Sequence, residues 1–187
     1  MVANPVPRSL ALGVSYGLSR AFGRALPGAL AAGAVDPAAG VAVAGAALAP
    51  RVPGALVAGA VVAGVLMKRR PLDRALAAVV IVGAAHCVRL VDRRPGQAVL
   101  TAAAFAAPGL ARRQGALAAV PLGASCAVVV DDLAEETTLG ASGAYALGAA
   151  LGAAVVATNG RLGLAAHALG VAAGTAYGEW AAPHPHG

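Results

Sequence analysis

Charge is scarce in this chain: only 12% of its 187 residues are Asp, Glu, Lys or Arg, against roughly a quarter in a soluble domain. A water-facing surface cannot be built from so few, so an ordinary soluble domain is excluded. Aromatic residues are also scarce, at 3% with two Phe and one Trp, so the apolar mass comes from Ala, Val, Leu and Gly. The two cysteines, Cys87 and Cys126, exclude a disulfide framework. Both fall inside apolar stretches and read as small buried hydrophobes, with a disulfide between helices as the alternative. No His/Cys/Asp/Glu spacing matches a metal site and no cofactor motif is present, so neither a metal nor a cofactor is expected. The net charge of +6 has no soluble basic face to sit on, which excludes nucleic acid as a partner.

What is there is apolar. Hydrophobic residues make up 59% of the chain and the mean hydropathy is +0.75, which points to an all-α, polytopic transmembrane helix bundle with the lipid bilayer as its main partner. Basic and turn-forming residues cut the chain into candidate spans at 25–49, 52–67, 74–91, 96–111, 114–130, 139–158 and 162–177. Several are shorter than the ~20 residues a perpendicular span needs, so about six or seven is an upper count. Asp36-Pro37 lies near the middle of the first segment and is expected to break it into half-helices.

Three regions follow. Residues 1–24 form an N-terminal segment with no cleavable signal pattern; Leu10, Val14, Leu18 and Phe22 recur at helical spacing opposite Arg8, Ser9, Ser19 and Arg20. That pattern suits an interfacial amphipathic helix or a distorted first span. Residues 25–180 form the transmembrane helical domain. Residues 181–187 form a short tail, expected to be disordered, that carries His184 and His186.

Orientation follows from the basic residues, which favour cytoplasmic loops. Lys68-Arg69-Arg70, Arg112-Arg113 and Arg161 fall on one side of an alternating topology. Arg8, Arg20 and Arg24 are assigned to the same, cytoplasmic side, in a multi-pass protein of the cell membrane. The acidic loop Asp131, Asp132, Glu135, Glu136 then faces out, and Arg93-Arg94 is the loop that disagrees.

Just after the acidic loop comes Gly140-Ala141-Ser142-Gly143-Ala144, a lone serine among small residues at the start of an apolar segment, and one segment later lies His167. A serine hydroxyl needs an imidazole to take its proton, and the oxyanion that forms needs hydrogen-bond donors. The stretch Leu139 to Leu147 resembles the Gly-x-Ser-Gly-Ala helix start of the rhomboid intramembrane proteases. Ala165 to Gly174 is similar to their last core helix, in which a histidine precedes glycines at four-residue spacing. The resemblance covers about the last 45 residues. It implies Ser142 as nucleophile and His167 as general base, acting on transmembrane protein substrates, or a relative that keeps the fold and has lost the chemistry.

Span boundaries bear on that pairing. Ser142 lies near the outer end of its segment and His167 near the inner end of the next, a displacement of ~15 Å at ~1.5 Å per residue. The dyad is therefore expected not to assemble. His86 falls at nearly the depth of Ser142 and is the other candidate base. Gly163, His167, Gly170, Gly174 and Gly178 also form one helix face, and Gly148 with Gly152 another, as close-packing surfaces do. On that reading His167 points into the bundle. A non-enzymatic alternative is a small-solute or ion permease, or a membrane-complex subunit, with Asp36 as the ion or proton site.

Overall fold

Described here is a computed structural model, covering residues 6–22, 24–112, 114–135 and 139–180. Among these residues all regular structure is helical: α1 Arg8–Phe22, α2 Ala25–Leu30, α3 Ala32–Val35, α4 Pro37–Leu48, α5 Ala55–Met67, α6 Pro71–Val91, α7 Gln97–Ala106 with a 3-10 turn Ala107–Ala111, α8 Gly115–Leu133, α9 Gly140–Thr158 and α10 Arg161–Trp180. The tail with His184 and His186, and Thr137 in the acidic loop, lie outside the described residues.

Local chemistry sets many of the boundaries. Asp36 N-caps α4, its carboxylate accepting the Ala38 amide at 2.8 Å, and Pro37 takes the first helical position, where its missing N–H costs nothing. The expected break at Asp36-Pro37 is therefore complete: α3 and α4 are separate helices that turn back on one another, with Gly33 against Gly40. Pro71 opens α6 in the same way. Gly54 and Gly96, at φ +82° and +78°, supply the left-handed turns that start α5 and α7.

Helices α6, α8 and α9, with 21, 19 and 19 residues, are long and apolar enough to cross a membrane. Helix α9 lies antiparallel on α6, with Gly152 at Ile81 and Gly148 at Ala84 and Ala85. Helix α10 returns parallel to α6, with Val171 at Gly83 and Gly178 at Leu90. Helix α8 ends beside the end of α6, where the Asp132 carboxylate accepts the Gly96 amide at 2.8 Å.

Helix α1 runs the length of α8. Arg8 donates to the Arg112 carbonyl, the Ser15 hydroxyl donates to the Val120 carbonyl at 2.6 Å, and Arg20 pairs with Asp131. Its inward face is Ala11, Ser15 and Ser19, while Leu10, Val14, Leu18 and Phe22 are exposed. The Leu, Val and Phe face is left outward, and the small and hydroxyl-bearing side chains face the bundle because they let α1 approach α2 and α8 closely.

Packing throughout follows that rule. The core is mostly Ala, with Val43, Val80, Ile81, Val99, Val120, Val128, Leu147, Val156 and Leu164 among its larger members. Large apolar residues such as Phe22, Phe105, Leu162 and Leu169 stand outside. Backbones meet directly at glycine: a Cβ added at Gly148 would lie 2.6 Å from the Ala84 carbonyl oxygen, and one at Gly45 2.9 Å from the Gly59 Cα.

Because α1 reaches from end to end, Arg20 and Arg24 lie at the opposite end from Arg8, correcting the assignment of all three to one side. Among the described residues, the end that holds Arg8, Lys68, Arg112 and Arg161 carries seven basic residues against two acidic ones, Asp36 and Asp73. The end that holds Asp92, Asp131 and Glu179 carries six basic against five acidic.

Candidate functional site

Ser142 sits in the first turn of α9, half-buried, with Gly143 and Ala144 buried behind it. The left-handed Gly140, at φ +65°, begins the helix. Helix α9 then packs on α6, α4, α8 and α2. It does not pack along α10, although α10 follows it in the chain and carries His167.

The contact register fixes the depths. Gly152 at Ile81 and Gly148 at Ala84 to Ala85 bring Ser142 level with about Val91 of α6, whereas Val171 at Gly83 brings His167 level with about Val79. Those twelve residues of α6 correspond to ~18 Å of helix. The structure therefore leaves His167 far from Ser142. Its Nδ1 lies 2.7 Å from the Gly163 carbonyl oxygen, one turn back on its own helix, and its side chain is exposed on the outside of the bundle. The expected inward orientation of His167 is not found: Leu164 and Ala168 are buried and Val171 meets Gly83 of α6, while the His167 ring, at the edge of that contact face, stands exposed.

His86 is engaged elsewhere too. Its Nε2 is 3.0 Å from Glu179 Oε1, an exposed pair that ties the α6 side facing α10 to the end of α10. Neither imidazole hydrogen-bonds Ser142. Beside the start of α9 lies a charged cleft of about 530 Å³, lined by Arg89, Asp92, Arg93, Arg94, Asp132 and Glu135 along with Gly140 and Ala141.

In that cleft two turns far apart in sequence meet: Asp92 to Gly96 after α6, and Asp131 to Glu135 at the end of α8. Burial pushes the Asp92 carboxyl above the ordinary carboxylate range; the Arg89 guanidinium pulls it back and the Asp132 carboxylate adds to the rise. Asp132 itself is buried and spends one oxygen on the Gly96 amide. Among the described residues the cleft thus sets three basic side chains against three acidic ones and holds no imidazole beside Ser142.

The remaining candidates are also structural in their contacts. Asp36 lies at the Arg8 end of the bundle, where it shares a second cleft with Arg8, Ser9 and Gln114, and its carboxylate caps α4. It is not at mid-span, because the break at Pro37 is the turn of a hairpin and not a kink within one span. Cys87 is half-buried, 3.5 Å from the Thr175 hydroxyl and 3.6 Å from the Val171 carbonyl, across the α6–α10 contact. Cys126 is exposed, contrary to the buried thiol expected, because α8 turns that side away from α1, α7 and α9. Tyr177 and Trp180, with ring centroids 6.0 Å apart, stand exposed at the end of α10.

Sequence reasoning named both halves of the charged cleft without joining them, and it missed Ser15 and Ser19 as core groups. The signal for the latter was their four-residue spacing with Ala11, the repeat of a small-residue contact face. Comparison with known protein families, with curated proteins and with solved structures finds no match to this chain.

Proposed function

We propose that the chain is a multi-pass integral membrane protein with the Arg8–Lys68–Arg161 end in the cytoplasm, and that it is a non-enzymatic subunit of a membrane assembly and not a working serine protease. The observation that carries the membrane reading is how much large apolar side chain is left outside a core that is mostly Ala: Phe22, Leu66, Phe105, Val130, Leu162 and Leu169 all stand exposed. In water such an arrangement forfeits burial of the larger side chains, about 1.5–3 kcal/mol each. In lipid it costs nothing, and close backbone contact becomes the main attraction. The excess of basic residues at one end supports the orientation.

The distance between Ser142 and His167 supports the non-enzymatic half of the reading, since a base must come within hydrogen-bond reach of the proton it abstracts. The rhomboid resemblance then concerns small-residue helix packing around Ser142 and His167. The N-cap role of Asp36 gives no support to an ion or proton site there.

A single cysteine placed at exposed Glu135 should react with an impermeant maleimide in intact cells, and one at exposed Arg69 only after permeabilisation. The reverse pattern would sink the orientation. A serine-directed fluorophosphonate should leave Ser142 unlabelled; labelling abolished by His167→Ala would restore the protease.

A further inference from the structure

Basic side chains crowd one corner of the bundle, where the turn from α5 to α6 meets the turn from α9 to α10. Lys68 Nζ donates to the Asn159 carbonyl at 2.9 Å, which joins two turns 91 positions apart in the chain. Arg161 Nε donates to Asp73 at 2.8 Å and Arg74 Nε to the Lys68 carbonyl at 3.0 Å. Lys68, Arg69, Arg70, Arg74 and Arg161 thus share the corner with one described carboxylate, Asp73, and Arg161 already holds it. Arg69 and Arg70 are exposed, and their side chains hydrogen-bond none of the described residues.

The opposite end is compensated from within the chain. Arg20 pairs with Asp131, Arg89 stands 3.9 Å from Asp92, and Arg93 donates to the carbonyls of Leu90 and Gly178. Arg24 and Arg51 are exposed there, but they lie on separate turns.

Large apolar side chains stand beside the crowded cations. Leu66 in the last turn of α5, Leu72 in the first turn of α6 and Leu162 in the first turn of α10 are 62%, 55% and 87% exposed. Each falls within one helical turn, ~5 Å, of a basic residue. A soluble phosphate or an acidic peptide would answer the cations and leave these leucines bare. A phospholipid answers both, because its phosphate and its acyl chains are joined at the depth where charge gives way to leucine. Arginine suits the phosphate, since its planar fork of donors can hold two oxygens at once.

We propose that this corner is a binding site for an anionic phospholipid of the leaflet at this end, with Arg69 and Arg70 holding the phosphate and Leu66, Leu72 and Leu162 lying against the acyl chains. This rests on the membrane reading above. The lipid supplies the negative charge that the chain itself does not place there, and the site sits at the join of two turns that only the folded bundle brings together.

The test reconstitutes the full-length chain in phosphatidylcholine vesicles with a trace of spin-labelled phosphatidylglycerol or spin-labelled phosphatidylcholine, and compares how strongly each label is held at the protein surface. Phosphatidylglycerol should be held about fivefold more strongly, and the ratio should shrink at high salt. Arg69→Gln together with Arg70→Gln should bring the ratio to about one. Arg24→Gln together with Arg51→Gln removes the same net charge from the other end and should leave the ratio as it is. Both double variants should keep the wild-type melting temperature in detergent; if the first unfolds, Arg69→Gln alone decides, with a smaller fall in the same direction. No preference in the wild type, a preference that survives in the Arg69 and Arg70 variant, or an equal loss in both double variants would overturn the proposal. So would displacement of the labelled lipid by glycerol phosphate at matched concentration, since a soluble phosphate would then suffice. Extraction of the chain from the vesicles by alkaline carbonate would bring down the membrane reading and the site with it, whereas a chain that resists extraction and shows no preference brings down the site alone.

Discussion

Helices α9 and α10 are consecutive, nearly equal in length and built from the same few residue types, yet one is the most enclosed helix of the bundle and the other the least. Each carries glycines four residues apart. On α9, Gly148 and Gly152 let the backbone of α6 come into contact; on α10, Gly174 and Gly178 meet only the side chains of Cys87 and Leu90, and Gly170 meets nothing. Small-residue spacing therefore marks a surface on which a helix can be approached, and the rest of the chain decides whether anything approaches it. His167 shows the same point for chemistry: a histidine on an apolar helix reads as a core or catalytic group until its face is seen to be outside.

The largest effect that separates the two helices should come from Gly148→Leu. The added side chain meets the Ala84 carbonyl and Ala85 Cα, which are backbone and cannot yield, so the variant should lose about 3 kcal/mol or more, or fail to fold. Thermal unfolding in detergent checks this, and a wild-type melting temperature would mean that α9 and α6 are not in contact. Ser15→Ala, at the α1–α8 contact, should cost about 1 kcal/mol by removing the buried hydrogen bond to the Val120 carbonyl. An unchanged variant would place α1 off the bundle.

Asp92→Asn should act in the other direction. The native carboxyl has its pKa raised in the folded protein, chiefly by burial, so its ionised form is the disfavoured one. A group so raised contributes stability below its unfolded pKa and loses that contribution as pH rises through the folded value. The Asn variant should therefore melt slightly higher than wild type at neutral pH, with the difference closing as pH falls toward about 4. A difference that widens on acidification would reverse the assignment. The smallest effect belongs to His167→Ala: its ring is exposed and hydrogen-bonds the Gly163 carbonyl of its own helix, so the stability of the isolated chain should change by less than ~0.5 kcal/mol. A larger loss would mean that α10 packs His167 inward after all.

Much of the helix plan was legible. The residues that cut the chain, such as Arg70-Pro71, Pro95-Gly96 and Asn159-Gly160, are the ones that bound α6, α7, α9 and α10, because proline, left-handed glycine and clustered charge each interrupt an apolar helix for local reasons. Asp36-Pro37 was legible as a break but not as a hairpin. The two descriptions differ only in the direction of the following helix, which local dihedrals do not reveal. For α1 the apolar Leu and Phe face was legible as a pattern, whereas the small-residue face that seats the helix on α8 was not. In this bundle the inward face is Ala11, Ser15 and Ser19.

Composition alone determined that the chain is apolar and built mainly from Ala, Val, Leu and Gly, since this depends on which residues are present and not on where they go. Only the tertiary structure decided that Ser142 opens beside the Asp92–Asp132 cleft and that His167 stands ~18 Å away along the bundle on its outer face. The physical reason is the chain's uniformity. When nearly every helix face is Ala, Gly, Val and Leu, hydrophobic periodicity cannot distinguish one neighbour from another, and the choice falls to close backbone fits between particular glycines that no single helix can specify.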